Sequence, residues 1–562
     1  MTWRTYASQS LALQSFLLTF LLFLVSYCTV GWWVDAYQHM FDTALSGELT
    51  NYYLPAAGNP FPEYMPGAGF VLNRLGAMLP IRWVTFFLNG VLFISIWILF
   101  KQVLTYSISF PWLSRTIVLL FFALLFFESV VLYHMVRITM FAGIAAVSFL
   151  VVNNENALLS KKALPYLLLF IVALWIRCNV HLFILVFITA VFIVHKKPLL
   201  PLLPFWVAFI LFFAFYCKIV FINDHSKDLN SFFLYNAEFK LYFVGKYVPD
   251  LKLTQPLDAL KYLAIKNDIV ADEENLGVAF YDRIGIFSNL NKFSINQLMY
   301  AVNVFVTATL QNIYFIIADL VLIFFYIVLG GNKIRHYKLK TIALFFFFYA
   351  TVFAICFIKM ENRFLVPFQV LFLFTIITLH QPRLFSERRN IYYLLLFVLL
   401  LFPISLKYIF KKIDIAKTET KEFKNGFDWL GQNYAKDVLV YNTGFVTKNR
   451  PYETFYQRKW FKKFYTYNYY STQFSPMYRP YLQKECNCNV GPLYPFYDFL
   501  TRGGNSALLI DNPKRIEVLQ TYLDSVYQKK YSLQHLNSDS LTLKGFRGGN
   551  AIFKLSAAEK GL

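Results

Sequence analysis

The stretch 161–197 reads KKALPYLLLFIVALWIRCNVHLFILVFITAVFIVHKK, an apolar run closed at each end by a pair of lysines and interrupted by Arg177, Asn179 and His181. Its interior is longer than the roughly 20 residues a transmembrane helix needs. Short-loop Lys and Arg favour the cytoplasmic side of a membrane, so the two lysine pairs share a side and the chain between them crosses an even number of times. Two short helices turning near residues 177–179 meet that condition.

Working outward, the chain has 562 residues, of which 57% are apolar, 20% aromatic and 15% charged. An average soluble protein carries about 25% charged residues. The deficit excludes a cytosolic enzyme or a nucleic-acid-binding domain. The net charge of +21, from 53 Lys and Arg against 32 Asp and Glu, lies largely in short loops between apolar runs, where it is a topology signal. Apolar runs fall near 9–31, 84–104, 107–127, 129–152, 163–178, 180–195, 199–222, 299–329, 341–358, 364–380 and 391–408, which predicts about eleven spans. The basic segments 332–340 (NKIRHYKLK) and 380–390 (HQPRLFSERRN) then fall on the cytoplasmic side by the same parity. The first run lacks a small-residue cleavage site and ends at Trp32 and Trp33, an interfacial pair, so it is expected to be an uncleaved helix with its N-terminus in the cytoplasm. The Phe, Lys and Asn bias points to an AT-rich bacterial genome and hence to a plasma membrane.

The expected fold is therefore an α-helical polytopic membrane module over 1–408, with outer loops 32–83 and 223–298, followed by an extracytoplasmic α/β domain over 409–562, where charged residues, Asn, Gly and Tyr replace the Leu and Phe runs. Within that domain DVLVY (437–441) and ALLI (507–510) read as buried strands and 513–529 as a helix; 541–553 reads as a hairpin turning at Gly548 and Gly549. Cys486 and Cys488 lack neighbouring His and make a weak metal signal.

Ionisable residues at membrane depth are costly and each needs a reason. On this topology Asp35 follows the first span. Glu128, His134 and Arg137 meet at the outer turn of the third and fourth spans, Arg177 and His181 at the fifth and sixth, and Lys359, Glu361 and Arg363 between the ninth and tenth. The expectation is that ionisable groups crowd this one interface and leave the bilayer centre apolar. A carboxylate beside several cations in an apolar surround suits sugar transfer from a polyprenyl-phosphate carrier. Arg presents a planar fork to phosphate oxygens, cations stabilise the leaving phosphate, and a carboxylate takes the proton of the attacking hydroxyl.

Three short segments, in order, carry a resemblance. VDAYQ (34–38) resembles a PDExFQ motif, WIRCNVHL (175–182) an IRPTAL motif and IKMENRFLVPF (358–368) an HKEERFLFP motif. These belong to glycosyltransferase family 22, the lipid-phosphate-mannose-dependent mannosyltransferases, within the GT-C superfamily of integral-membrane glycosyltransferases. The stretch EYMPGAGFVL (63–72) resembles instead the YPPG-type loop of protein-mannosyl and lipid A sugar transferases of the same superfamily. Ala36 stands where family 22 has a second acid and Ile358 where it has His. The resemblance implies Asp35 as catalytic base, with Arg363, Arg177 and Lys359 on the donor phosphate and Glu361 toward the acceptor; placement at the same outer face adds Arg137 to the phosphate set, and Glu63 and His181 toward the acceptor or supporting the site. It implies an inverting transfer, in a single displacement, of a hexose such as mannose to a glycolipid, glycan or protein acceptor. No cofactor is named with certainty, and a divalent metal at Glu63 stays open. The expected partners are the polyprenyl-phosphate sugar, the glycan or lipid acceptor and membrane lipids, and not nucleic acid.

Each residue also has a plainer reading. Asp35 is otherwise a solvated helix-end acid, Arg137 a packing partner of Glu128, His181 a satisfied core histidine, and Glu361 with Arg363 a local ion pair. The aromatic and basic stretch 452–481 suits either sugar stacking or a membrane-surface belt. The competing functions are a flippase or transporter for a lipid-linked solute, which predicts broken midplane spans, and an O-antigen polymerase or ligase, which would not require Asp35.

Overall fold

In an apolar solvent every backbone N–H and C=O must find its partner within the chain, so long hydrophobic runs become helices. The computed structural model describes residues 3–30, 83–131, 134–152, 163–217, 251–267, 273–276, 280, 283–285, 295–324, 335–357, 362–379, part of 392–414, and 439–442, 464–466, 501, 506–511, 513–536 and 551–557. Its apolar helices are α1 (Trp3–Val30), α2 (Trp83–Tyr106), α3 (Trp112–Val131), α4 (Met135–Val152), α5 (Leu164–Ile176), α6 (His181–Val194) and α7 (Leu203–Cys217). After a small polar helix, α8 (Pro256–Lys266), come α9 (Ile295–Gln311), α10 (Ile313–Phe324), α11 (Arg335–Cys356) and α12 (Asn362–Leu379). Among the described residues five helices, α1, α2, α3, α4 and α11, are long and apolar enough to cross a membrane, or up to six spans if α9 and α10 count as one. The remaining apolar helices are shorter. Such a set suits an integral membrane protein.

The bundle is built around α4, in which residues 135–151 are all buried. Its small residues Ala142, Gly143, Ala145, Ala146 and Ser148 let neighbours approach closely, and α2, α5, α6 and α12 pack on it. Aromatic rings fill the next layer: Phe187 of α6 meets Phe348 of α11 and Phe368 of α12 at 6.0 and 5.7 Å. Where α4 meets α6, a Cβ added to Gly143 would lie 2.6 Å from Cδ2 and 2.8 Å from Nε2 of His181. That ring is held from both sides, with Nδ1 2.9 Å from the Arg177 carbonyl and Nε2 3.1 Å from the Thr139 carbonyl. Gly143→Ala is therefore expected to destabilise the fold by about 1–3 kcal/mol, seen as a lower unfolding midpoint in detergent. Gly90→Ala, with open space around the new Cβ, is the control and should match the wild type.

The stretch 161–197 breaks as α5 and α6, with Arg177 extended (φ −161°, ψ 105°) at the end of α5. Elsewhere the boundaries depart from the sequence expectation. The helix expected from 107 starts at Trp112, because Pro111 holds the preceding Phe110 extended (φ −81°, ψ 150°). The span expected over 299–329 is broken into α9 and α10, bent by 81°. At the break the Asn312 side chain donates to the Ala308 carbonyl (2.8 Å) while the Asn312 and Phe315 amides bond three residues back. A short amide side chain thus competes with the regular ladder.

Toward the C-terminus, β1 (Leu439–Asn442), β2 (Phe464–Thr466), β3 (Ala507–Asp511), β4 (Tyr531–His535) and β5 (Ala551–Ala557) form a mixed sheet in the order β2-β1-β3-β5-β4. β1 is parallel to β2 and β3, whereas β5 runs antiparallel to β3 and β4. α13 (Pro513–Val526) buries Ile516, Leu519, Tyr522 and Leu523, a single helical stripe. It ends before the expected Lys529 because Gln528 and Lys529 turn the chain with φ of 52° and 61°. The expected hairpin is corrected as well: β5 pairs with β4, His535 opposite Phe553, and residues 541–550 with Gly548 and Gly549 lie outside the described residues. The polar half of YSLQH hid that strand.

Three contacts link the sheet region to the connection between α7 and α9. α8 packs on α13, Arg515 Nε donates to the Asn267 carbonyl, and Asn275 Nδ2 lies 3.4 Å from the Tyr527 hydroxyl. Within this connection Asp258, in the first turn of α8, pairs with Arg283 at 2.6 Å.

Candidate functional site

Two helix turns and the start of a third segment, α12, meet at one corner of the bundle. The turn between α3 and α4 sets Glu128, in the last turn of α3, beside Arg137, in the first turn of α4. Arg137 Nη1 donates to the Glu128 carbonyl (3.4 Å) and Nη2 approaches Glu128 Oε1 (3.5 Å). Both side chains are almost wholly buried, at 5% and 1% exposure. His134 caps α4, its Nδ1 accepting from the Val136 amide at 3.1 Å. Tyr408, on the helix through 401–411, lies near both charges.

The α5–α6 turn forms the second side. Arg177 Nε donates to Asn179 Oδ1 (3.1 Å), within the turn itself. His181 is fully buried and faces two backbone carbonyls, of which a neutral imidazole can donate to one; Phe170 meets its ring edge-to-face at 5.4 Å. This contact to Thr139 ties the α5–α6 turn to α4. The third side is the start of α12. Phe183, two residues after His181, meets Phe364 with ring centroids 5.2 Å apart, so the first turn of α12 abuts the first turn of α6. Pro367 removes the amide that would bond the Arg363 carbonyl.

The sequence-derived candidates divide accordingly. Arg137, Arg177 and His181 belong to this corner. Arg363 stands on its rim by backbone position, its side chain lying outside the described residues. Asp35, Glu63, Lys359 and Glu361 also lie outside them, as do Cys486 and Cys488. Among the described residues no group of three or more His, Cys, Asp or Glu is gathered as a metal site would need.

A second polar cluster was missed by the sequence reading, and it corrects the expectation of an apolar bundle centre. Asp319 of α10 is fully buried. Its Oδ2 accepts from the Tyr349 hydroxyl of α11 at 2.7 Å and from the Gln369 amide of α12, whereas Oδ1 meets no hydrogen-bond donor among the described residues. The signal was present: one carboxylate within IYFIIADLVLIFFYIVL (313–329) is a functional flag by itself.

No family model matches this chain and no curated protein is similar to it. The chemistry of the two clusters is therefore read from their own residues.

Proposed function

We propose that the protein is an inverting glycosyltransferase that moves a hexose from a polyprenyl-phosphate donor to a glycan, lipid or protein acceptor at the corner formed by α4, α6 and α12. The observation that carries this reading is the convergence of Arg137, the Arg177 turn and the start of α12, which in sequence directly follows Lys359 and Glu361 and includes Arg363. A phosphate entering from a bilayer needs such cations, and the carrier's tail needs apolar helices below them. In this reading the chain crosses a plasma membrane about eleven times, the N-terminus is cytoplasmic, and residues 32–83, 223–298 and 409–562 lie outside. The docking of α8 on α13 supports the last point, since those two parts must share a side. Asp35 is the base: it takes the acceptor hydroxyl proton as that oxygen bonds to the anomeric carbon and the carrier phosphate leaves.

The test is purified protein in nanodiscs with a panel of polyprenyl-phosphate hexoses, followed by the anomeric configuration of the product. Transfer with inversion is expected. Arg363→Lys keeps the charge without the fork and should lose part of the activity. Arg363→Ala should weaken carrier binding about 10-fold or more, as lost charge-assisted hydrogen bonds do. No turnover with any donor overturns the reading.

One observation favours a second reading. The bent α9–α10 pair and the buried Asp319 are features of transporters that bind solute beside broken helices. Solute uptake into proteoliposomes that is lost in Asp319→Asn, with no sugar transfer, would establish it.

A further inference from the structure

At the opposite end of α3 from Glu128, about 20 Å along the helix at 1.5 Å per residue, a cavity of about 590 Å³ opens between α1, α2 and α3. Its walls are apolar: Leu17, Leu18 and Leu21 of α1, Leu104 of α2 and Leu119 of α3. Its polar groups are Gln14 of α1 and the adjacent Arg115 and Thr116 of α3. Arg115 Nη2 donates to Gln14 Oε1 at 3.1 Å. Among the described residues no carboxylate comes within ion-pair distance of this guanidinium, so its charge is left for a ligand. Trp112, 78% exposed, stands one turn before Arg115, the position of an interfacial aromatic anchor. Leu17 and Leu21 are each 55% exposed, so the groove opens sideways, toward lipid.

The geometry points to an anionic-phospholipid site in this groove, with the lipid phosphate on Arg115, the glycerol and ester oxygens beside Gln14 and Thr116, and an acyl chain along Leu17, Leu18, Leu21 and Leu119. The volume is that of an ordinary small-molecule site. An arginine without a carboxylate partner pairs a phosphate bidentately, and no described acid is present to receive the ammonium of a zwitterionic headgroup. The occupant is therefore an anionic lipid of the bilayer, held at the end of the bundle remote from the proposed transfer site.

Native mass spectrometry of the full chain, delipidated in detergent and titrated with phosphatidylglycerol or phosphatidylcholine, tests this. One phosphatidylglycerol should bind about 10-fold more tightly than phosphatidylcholine, the scale of a charge-assisted hydrogen bond. Arg115→Gln, which keeps a hydrogen bond to Gln14 within reach, should abolish that preference. Leu17→Trp, which fills the groove at an exposed position, should weaken both lipids with Arg115 intact. Equal binding of the two lipids by the wild type, an unchanged preference in Arg115→Gln or unchanged binding in Leu17→Trp would each overturn the site.

Discussion

The Asp35→Asn protein is expected to fold, bind the polyprenyl-phosphate donor like the wild type and transfer sugar about 100-fold more slowly or worse, the usual scale of a lost general base. Asparagine keeps the size of the side chain and most of its hydrogen bonding, and loses only the basicity. In the proposed mechanism the acceptor hydroxyl then has no group to take its proton as it attacks. The measurement is single-turnover transfer in nanodiscs beside donor binding by the same sample. Turnover close to wild type, from monodisperse protein, would return Asp35 to the reading as a solvated acid and would favour the polymerase or transporter alternatives. Slow transfer combined with weak donor binding would instead make it a residue that positions the carrier.

Glu128→Ala is expected to have the largest effect on stability, about 3–5 kcal/mol, because it takes a carboxylate away from a buried cation. Arg137 is only 4% exposed, and the side-chain contact to Glu128 is within the helix bundle. In a low-dielectric surround a guanidinium that loses its carboxylate draws in water or forces the first turn of α4 outward, and α4 is the helix on which α2, α5, α6 and α12 pack. Replacing both members of a buried ion pair with apolar side chains of similar volume costs far less than removing one. The double variant Glu128→Leu with Arg137→Met should therefore recover most of the lost unfolding midpoint in detergent. If Arg137 also holds the donor phosphate, that recovered protein will bind the carrier poorly; full binding would leave Arg137 a packing residue alone.

The sequence by itself determined the solvent of this protein and most of its helices. Apolar runs of bilayer length have one way to satisfy their backbone in lipid, which is why α1, α2, α4, α11 and the paired α5 and α6 are legible from residues alone. The lysine pairs at 161–162 and 196–197 reveal the break in the last of these, since charge parity is a one-dimensional property. So were β1 and β3, short apolar segments in a polar context, and the cation Arg177 at the α5–α6 turn. Periodicity is blind to what an exception does. Asp319 reads as one polar residue in an apolar run, and only the packing of α10 against α11 and α12 turns it into a carboxylate held by Tyr349 and Gln369. The bend at Asn312 depends on a side-chain bond to Ala308 that no hydropathy pattern contains. Pairing is likewise non-local. β5 chose the polar-looking β4 because Tyr531 and Leu555 bury their side chains in one core, and the corner joining Arg137 to the Arg177 turn exists because Gly143 leaves room for His181 to reach the Thr139 carbonyl. Which residues share a membrane is written along the chain; which of them touch is decided by volume and hydrogen-bond geometry between helices.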